Sequence, residues 1–226
     1  IAKLYDAGFT ADGQPYLALE HVQGEPIDAH CRRYAGDLRP RLRLLLQVAQ
    51  AVAHAHANLV VHRDLKPANI LVTDSGQVRL LDFGIAKLLG AEAGKNSELT
   101  QQHGRALTLH YASPEQILKR PIGTASDVYS LGVVMYELLC GMSPYRLRRD
   151  SRAALEDAIV HDEPLRPSVV AGDARLRRQL RGDLDTIVRK ALEKDRGRRY
   201  PSAGELARDL QHYLADEPIE AKRDSG

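Results

Sequence analysis

The chain has 226 residues, 43% of them hydrophobic, enough for one large core or two small ones, so general disorder is not expected. Lys and Arg number 32 against 30 Asp and Glu, a net charge of +2 with both signs interspersed, which excludes a strong field for nucleic acid or for a membrane surface. Cys31 and Cys140 form no CxxC or Cys/His pattern, which argues against a disulfide framework or a zinc site and fits a reducing cytoplasm.

The first segment, "AKLYDAGFTADGQPYLALEHV", reads as two strands joined by a turn at Asp12-Gly13, where glycine supplies the positive φ that a hairpin needs. Beyond Gly24, Leu42, Leu45, Ala49, Val52 and His56 recur at helical spacing after Pro40, which suits an early helical position. Asn69 to Thr73 and Gln77 to Asp82 read as a second short hairpin around "DSG". Residues 84–113 lack a sustained period, and a loop of that length inside a compact domain is usually functional or disordered. "SDVYSLGVVMYELLCG" reads as an almost wholly apolar, buried helix, with Ser126 as its N-cap and Gly141 as its stop. Helical stretches follow near 150–161, 183–194 and 203–215, the last opened by Ser202 and Glu205 in capping-box spacing. The Arg-rich patches at 146–152 and 175–181 read as solvated helix faces, and 217–226 as a polar linker. No run of about 18 apolar residues and no signal core occurs.

The chemistry concentrates in "VVHRDLKPANILVTDSGQVRLLDFG", residues 60–84. Phosphoryl transfer from a nucleotide needs a carboxylate for the nucleophile, a cation near the γ-phosphate, and oxygens to hold magnesium. Asp64, Lys66, Asn69 and Asp82 are side chains of those kinds within 19 residues.

His62-Arg63-Asp64-Leu65-Lys66-Pro67-Ala68-Asn69 and Asp82-Phe83-Gly84 resemble the catalytic loop and magnesium motif of eukaryotic-like (Hanks-type) serine/threonine protein kinases. "YASPEQ" at 111–116 stands where that family has Ala-Pro-Glu, with Ser113 in place of the alanine, and "SDVYSLGVVMYELLCGMSPY" resembles its central helix. Arg199 in "DRGRRY" matches the arginine that pairs, in the family, with the motif's glutamate, here Glu115. The motifs occur in family order and span residue 1 to about 216, and the wording of "YASPEQ" and "ASDVYSLGV" is similar to bacterial members.

The resemblance implies an α+β, protein-kinase-like fold: a partial N-lobe and hinge over 1–23, a mostly helical C-lobe over 24–216, and the linker beyond. It implies ATP and Mg2+ as cofactors and a protein substrate that offers a Ser or Thr hydroxyl. Asp64 would be the catalytic base, Lys66 the γ-phosphate contact, and Asn69 and Asp82 the magnesium ligands. Thr108 would bond Asp64 and Lys66, although Leu107 and Leu109 beside it depart from the usual Gly and Pro. Leu19 and Glu20-His21-Val22 align with the gatekeeper and hinge, with Leu71 and Leu81 near the purine. Asp127 would hold the catalytic-loop backbone, and His62 would pack on Phe83. Arg63 calls for an anion, such as phosphate on Thr100 first or Ser97 second.

The family's Gly-rich loop, strand lysine and helix glutamate have no counterpart in the sequence, and Lys3 lies too close to the first hairpin to be that lysine. Together with a start at Ile1, this reads as a fragment of a longer kinase, inactive as given, with dimerisation expected through a full-length N-lobe. It reads as cytoplasmic, alone or as part of a longer membrane-anchored protein. The alternative is a pseudokinase scaffold that binds partners without catalysis. The DFG glycine and "ASPE" speak against a small-molecule phosphotransferase that shares only the Asp-x4-Asn loop, and the lack of a GxGxxG or Walker loop against an oxidoreductase.

Overall fold

The structure is a computed structural model that describes residues 1–33, 37–82, 109–145 and 151–221. Strands β1 (Leu4–Phe9) and β2 (Pro15–Leu19) form the expected antiparallel hairpin, with Phe9 opposite Pro15 and Ala7 opposite Leu17. Gly13 turns the chain at φ 75°, a value that costs a glycine little. The base of the hairpin is tied to the body where the Ala2 N–H donates to the Leu80 carbonyl at 2.8 Å. Leu4, Tyr5, Phe9 and Tyr16 are exposed along it.

A second sheet, in the order β3 (Glu25–Pro26), β4 (Ile70–Val72) and β5 (Val78–Leu80), is antiparallel throughout. Its hairpin is shorter than the sequence suggests, because Asn69 belongs to a 3-10 turn, Pro67–Asn69. The alternation of β4 buries Ile70 and Val72 and turns Leu71 to the other face.

Helix α1 (Ile27–Arg32) leads into α2 (Leu38–Ala57), whose first turn is capped by Asp37, the carboxylate accepting from the Arg39 N–H at 3.1 Å. Leu38, Leu42, Leu45, Val48, Ala49, Val52 and Ala55 form its buried face. Short α3 (Pro114–Ile117) precedes the central helix α4 (Thr124–Cys140). Every residue of α4 from Ser126 to Cys140 except Glu137 is buried. The helix begins three residues before the start that a Ser126 cap implies, with Gly123 at the cap. Ser126 is therefore not the N-cap: it lies in the first turn, and its hydroxyl donates to Glu115 Oε1 at 2.6 Å. Gly141 ends α4 at φ 73°, as the sequence indicates.

Helices α5 (Arg152–His161), α6 (Pro167–Val170), α7 (Ala174–Leu180), α8 (Asp183–Ala191) and α9 (Ala203–Leu214) complete the described body. Helices α1, α3 and α6 are not legible in the sequence, since at 6, 4 and 4 residues none repeats a helical period often enough to signal itself, whereas α7 falls on the Arg-rich stretch 175–181 that reads as a solvated helix face. Ser202 caps α9 as expected, accepting from the Glu205 N–H at 3.2 Å. Helices α2, α4, α8 and α9 share one core. Gly132 allows α4 and α8 to approach closely, for a Cβ there would lie 2.9 Å from Ala191 Cβ. Residues 217–221, expected as the start of a polar linker, pack on α9: the Glu220 and Ala221 N–H groups donate to Asp209 at 2.6 and 3.0 Å, and Ala221 is buried.

Lys194, just after α8, anchors the end of α5. Its ammonium donates to the Ile159 carbonyl at 2.6 Å and to Tyr145 Oη at 2.7 Å, and lies 4.5 Å from the Tyr145 ring centroid. Burial pushes its pKa down to about 8, outweighing the opposing pull of Asp162. Between that value and the ordinary lysine value near ~10.4, the unfolded chain binds the extra proton, so this residue makes stability rise with pH. Burial pushes the Cys31 thiol up to about 11, which acts in the opposite sense above about pH 8.5, so the comparison is with a variant. From pH 8 to pH 9.5 the denaturant midpoint of the parent should gain on that of Lys194→Met, with Lys194 the source of the difference. An unchanged slope in the variant would remove Lys194 from that role.

Candidate active site

The loop after α2 places its residues by alternate burial. His62, Leu65, Pro67 and Asn69 are buried, whereas the Asp64 and Lys66 side chains keep 15% and 23% of their surface exposed. The inward residues anchor the loop and the outward ones stay partly open to solvent.

Asp127, in the first turn of α4 and 1% exposed, holds this loop by its backbone. Its Oδ2 accepts the His62 N–H at 2.7 Å and its Oδ1 the Arg63 N–H at 2.9 Å. His56 Nε2, from the last turn of α2, lies 2.8 Å from the same Oδ2 and donates to it. The sequence shows His56 only as a member of the helical period, and nothing local marks this contact, which spans 71 positions. Burial pushes the His62 imidazole below its ordinary pKa, outweighing the pull of Asp127 and Asp64. Neutral His62 therefore serves as a packing residue. Arg63 has φ 66°, an uncommon region for a side chain of this size.

Lys66 Nζ lies 3.0 Å from Asp64 Oδ2, so the two groups expected to share a reaction centre are in contact. Asn69 Nδ2 donates to the Asp64 carbonyl at 2.8 Å and approaches Asp64 Oδ2 at 3.3 Å. Its amide oxygen is left without a hydrogen bond among the described residues. The Leu81 N–H donates to the Asn69 carbonyl at 2.9 Å, which brings Asp82 beside Asn69. The Asp82 carboxylate is exposed and, among the described residues, has no partner. A neutral oxygen donor at Asn69 and an anionic one at Asp82, on segments joined by that backbone bond, are of the kinds that suit a hard cation taking its remaining ligands from phosphate and water. Among the described residues no group of three or more His, Cys, Asp or Glu forms a metal cage.

Leu19 and Val22 are half-buried, and Leu71 and Leu81 lie half-buried on the face away from the core. The Glu20 N–H donates to the Lys3 carbonyl at 2.8 Å, and the Glu20 carboxylate accepts from the Lys3 N–H at 3.0 Å. Thr108, Phe83, Thr100 and Ser97 lie outside the described residues.

The second anchor is the pair Glu115 and Arg199. Arg199 Nη1 and Nη2 meet Glu115 Oε1 and Oε2 at 2.8 and 2.9 Å, a bidentate pair in which both side chains are buried. The remaining guanidinium donors go to the Ala125, Lys194 and Glu193 carbonyls, so the fork is fully used. Burial raises the Glu115 pKa, but the bonds from Arg199 and Ser126 outweigh it and hold the carboxyl below its ordinary value. This pair fixes α3, and with it the segment that enters from residue 109.

The protein kinase domain model matches residues 1–212. The chain is 35% identical over 228 residues to serine/threonine-protein kinase PknB of Mycobacterium tuberculosis, covering 99% of this chain and 34% of that protein. It is 36% identical over 208 residues to a probable serine/threonine-protein kinase of Streptomyces coelicolor, covering 92% and 29%. It is 32% identical over 225 residues to serine/threonine-protein kinase PrkC of Bacillus subtilis, covering 99% and 32%. The chain thus spans about a third of the length of the curated relatives it matches.

Proposed function

Since the chain belongs to the protein kinase domain family, of the Hanks type found in bacteria, we propose that it is the larger part of a catalytic domain that transfers the ATP γ-phosphate to Ser or Thr hydroxyls of proteins. One observation carries the reading: Asp127 clamps the His62 and Arg63 amides, so that Asp64, Lys66 and Asn69 are presented together beside Asp82.

Asp64 would orient the substrate hydroxyl and accept its proton. Lys66, now paired with Asp64 at 3.0 Å, would turn to the γ-phosphate when nucleotide is present. Asn69 and Asp82 would hold Mg2+, which neutralises developing phosphate charge when bound. The Glu20 carbonyl and the Val22 N–H, unused among the described residues, would meet the adenine edge, with Leu19, Leu71 and Leu81 around the purine. Thr108 would bridge Asp64 and Lys66, and phosphate on Thr100 or Ser97 would answer the charge of Arg63.

The phosphate-covering glycines, the strand lysine and its glutamate would come from residues ahead of Ile1. The exposed Leu4, Tyr5, Phe9 and Tyr16 of the hairpin and the greater length of the relatives support that assignment. The buried free thiols of Cys31 and Cys140 fit a reducing cytoplasm. Among the described residues no helix is long and apolar enough to cross a membrane.

The test is transfer of labelled γ-phosphate to a Ser/Thr protein substrate with ATP and Mg2+, comparing a longer protein that supplies those upstream parts with the 226-residue segment. Transfer by the former alone is the expected result. Absence of transfer by the longer protein, with partner binding intact, would mean a scaffold in place of an enzyme.

A further inference from the structure

Arg63 is held from two sides. Its N–H is taken by Asp127, as described above, and its carbonyl accepts a hydrogen bond from Gln116 Nε2 at 3.0 Å across 53 positions of sequence. That carbonyl belongs to the peptide unit that leads into Asp64. The φ of 66° at Arg63 is a conformation that a long side chain keeps only where its surroundings impose it. Asp127 alone fixes one end of the residue, and Gln116 fixes the other.

Gln116 is itself fixed. Its Oε1 accepts the Ser113 N–H at 2.8 Å and the Ser113 hydroxyl at 3.2 Å, and Ser113 is fully buried. The N–H contact is the third-residue half of a capping box at the start of α3. The hydroxyl contact depends on serine at 113, since an alanine there has no donor to offer. The amide group of Gln116 thus has its oxygen committed to the cap and its nitrogen committed to the loop. Neighbouring Glu115 locks the same turn onto Arg199.

From this arrangement we infer that Gln116, oriented by Ser113, is a positioning residue that couples the segment entering α3 to the backbone that carries Asp64. The inference rests on the kinase reading for its effect on rate, but not for its effect on the loop. If α3 shifts, the Arg63 carbonyl loses its donor, and the Asp64 peptide is free to rotate away from the orientation that Asp127 supports. Placement of the segment just before Ser113 is in this way tied to catalytic geometry. The tie needs no contact between Gln116 and any substrate.

Glu at position 116 separates this role from helix capping. In Gln116→Glu the side chain keeps an acceptor for the Ser113 N–H and loses the donor to Arg63, whereas Gln116→Ala loses both. In the longer, active protein, Gln116→Glu is expected to melt near the parent temperature yet to lower kcat roughly tenfold, the change that loss of one such hydrogen bond can produce. KM for ATP should stay within about twofold, since the purine contacts lie elsewhere. Gln116→Ala should lose kcat to a similar degree and lose stability as well. Hydrogen exchange of the peptide covering 60–69 should be faster in Gln116→Glu than in the parent.

Parent-like kcat together with parent-like exchange in Gln116→Glu would overturn the inference and leave Gln116 as a cap only. If the parent itself transfers no phosphate, the kinase reading fails, while the exchange measurement still decides the coupling: faster exchange at 60–69 upholds it and unchanged exchange overturns it.

Discussion

Asp64→Asn, in a protein that carries the whole catalytic domain, is expected to lower kcat by about 10²–10⁴-fold, the range that a positioned acid or base contributes, while ATP affinity stays close to that of the parent. The substitution is nearly isosteric, so the contacts around the loop have reason to survive it. Asn69 Nδ2 donates chiefly to the Asp64 backbone carbonyl at 2.8 Å, which the change leaves in place. Lys66 loses its carboxylate partner at 3.0 Å and is released toward phosphate, which should if anything favour nucleotide binding. What disappears is the carboxylate proposed to accept the hydroxyl proton. The check is single-turnover phosphoryl transfer beside an equilibrium nucleotide titration. Equal turnover in variant and parent would remove Asp64 from the base role, and a matched loss of binding would make it a structural residue instead.

Arg199→Met is expected to destabilise the fold by about 3–5 kcal/mol, the usual result of removing one partner from a buried ion pair. For a chain of this size that is a fall in melting temperature on the order of 10 °C. The reason is the charge left behind: Glu115 is 3% exposed and, among the described side chains, would keep the Ser126 hydroxyl as its one donor. Three backbone carbonyls, of Ala125, Lys194 and Glu193, would lose their donors as well. Replacing both partners, as Glu115→Leu with Arg199→Met, should recover part of the loss, because no buried charge then stands alone. The same pair sets an acid limit. The folded Glu115 pKa lies below its unfolded value, so its contribution is complete above the ordinary glutamate range and is lost as pH falls through the folded pKa. Denaturant melts of parent and variants at pH 7 and pH 4 would measure both effects. A cost below about 1 kcal/mol for Arg199→Met would mean that the pair is dispensable, as surface pairs are.

Much of the architecture is legible in the residues themselves. Gly13 and Gly141 mark a hairpin turn and a helix end that occur at φ 75° and 73°. Ser202 marks a cap, and the period through Leu42, Leu45, Ala49 and Val52 marks the buried face of α2. These signals work because each depends on a few neighbouring residues and on backbone geometry that recurs wherever those residues meet. Ser126 shows where that reasoning misleads. It has the chemistry of a cap, yet the buried carboxylate of Glu115, eleven residues earlier, claims its hydroxyl, and the helix starts at Thr124 instead. The short helices α1, α3 and α6 escape for the opposite reason: too few residues carry the pattern.

The candidate site divides in the same way. The kinds of side chain it needs, Asp64, Lys66, Asn69 and Asp82, stand within one short stretch, and the sequence by itself determined that chemistry. The pairing of Glu115 with Arg199 and the hold of Asp127 on the loop came only through family resemblance, with no local spacing to indicate them. Only the tertiary structure decided that Gln116 reaches the Arg63 carbonyl and that His56 shares Asp127, contacts that span 53 and 71 positions. The physical reason is that a hydrogen bond between distant segments leaves no periodic trace in either one. Its partners are chosen by how packed helices bring their ends together, and that packing is a property of the whole core.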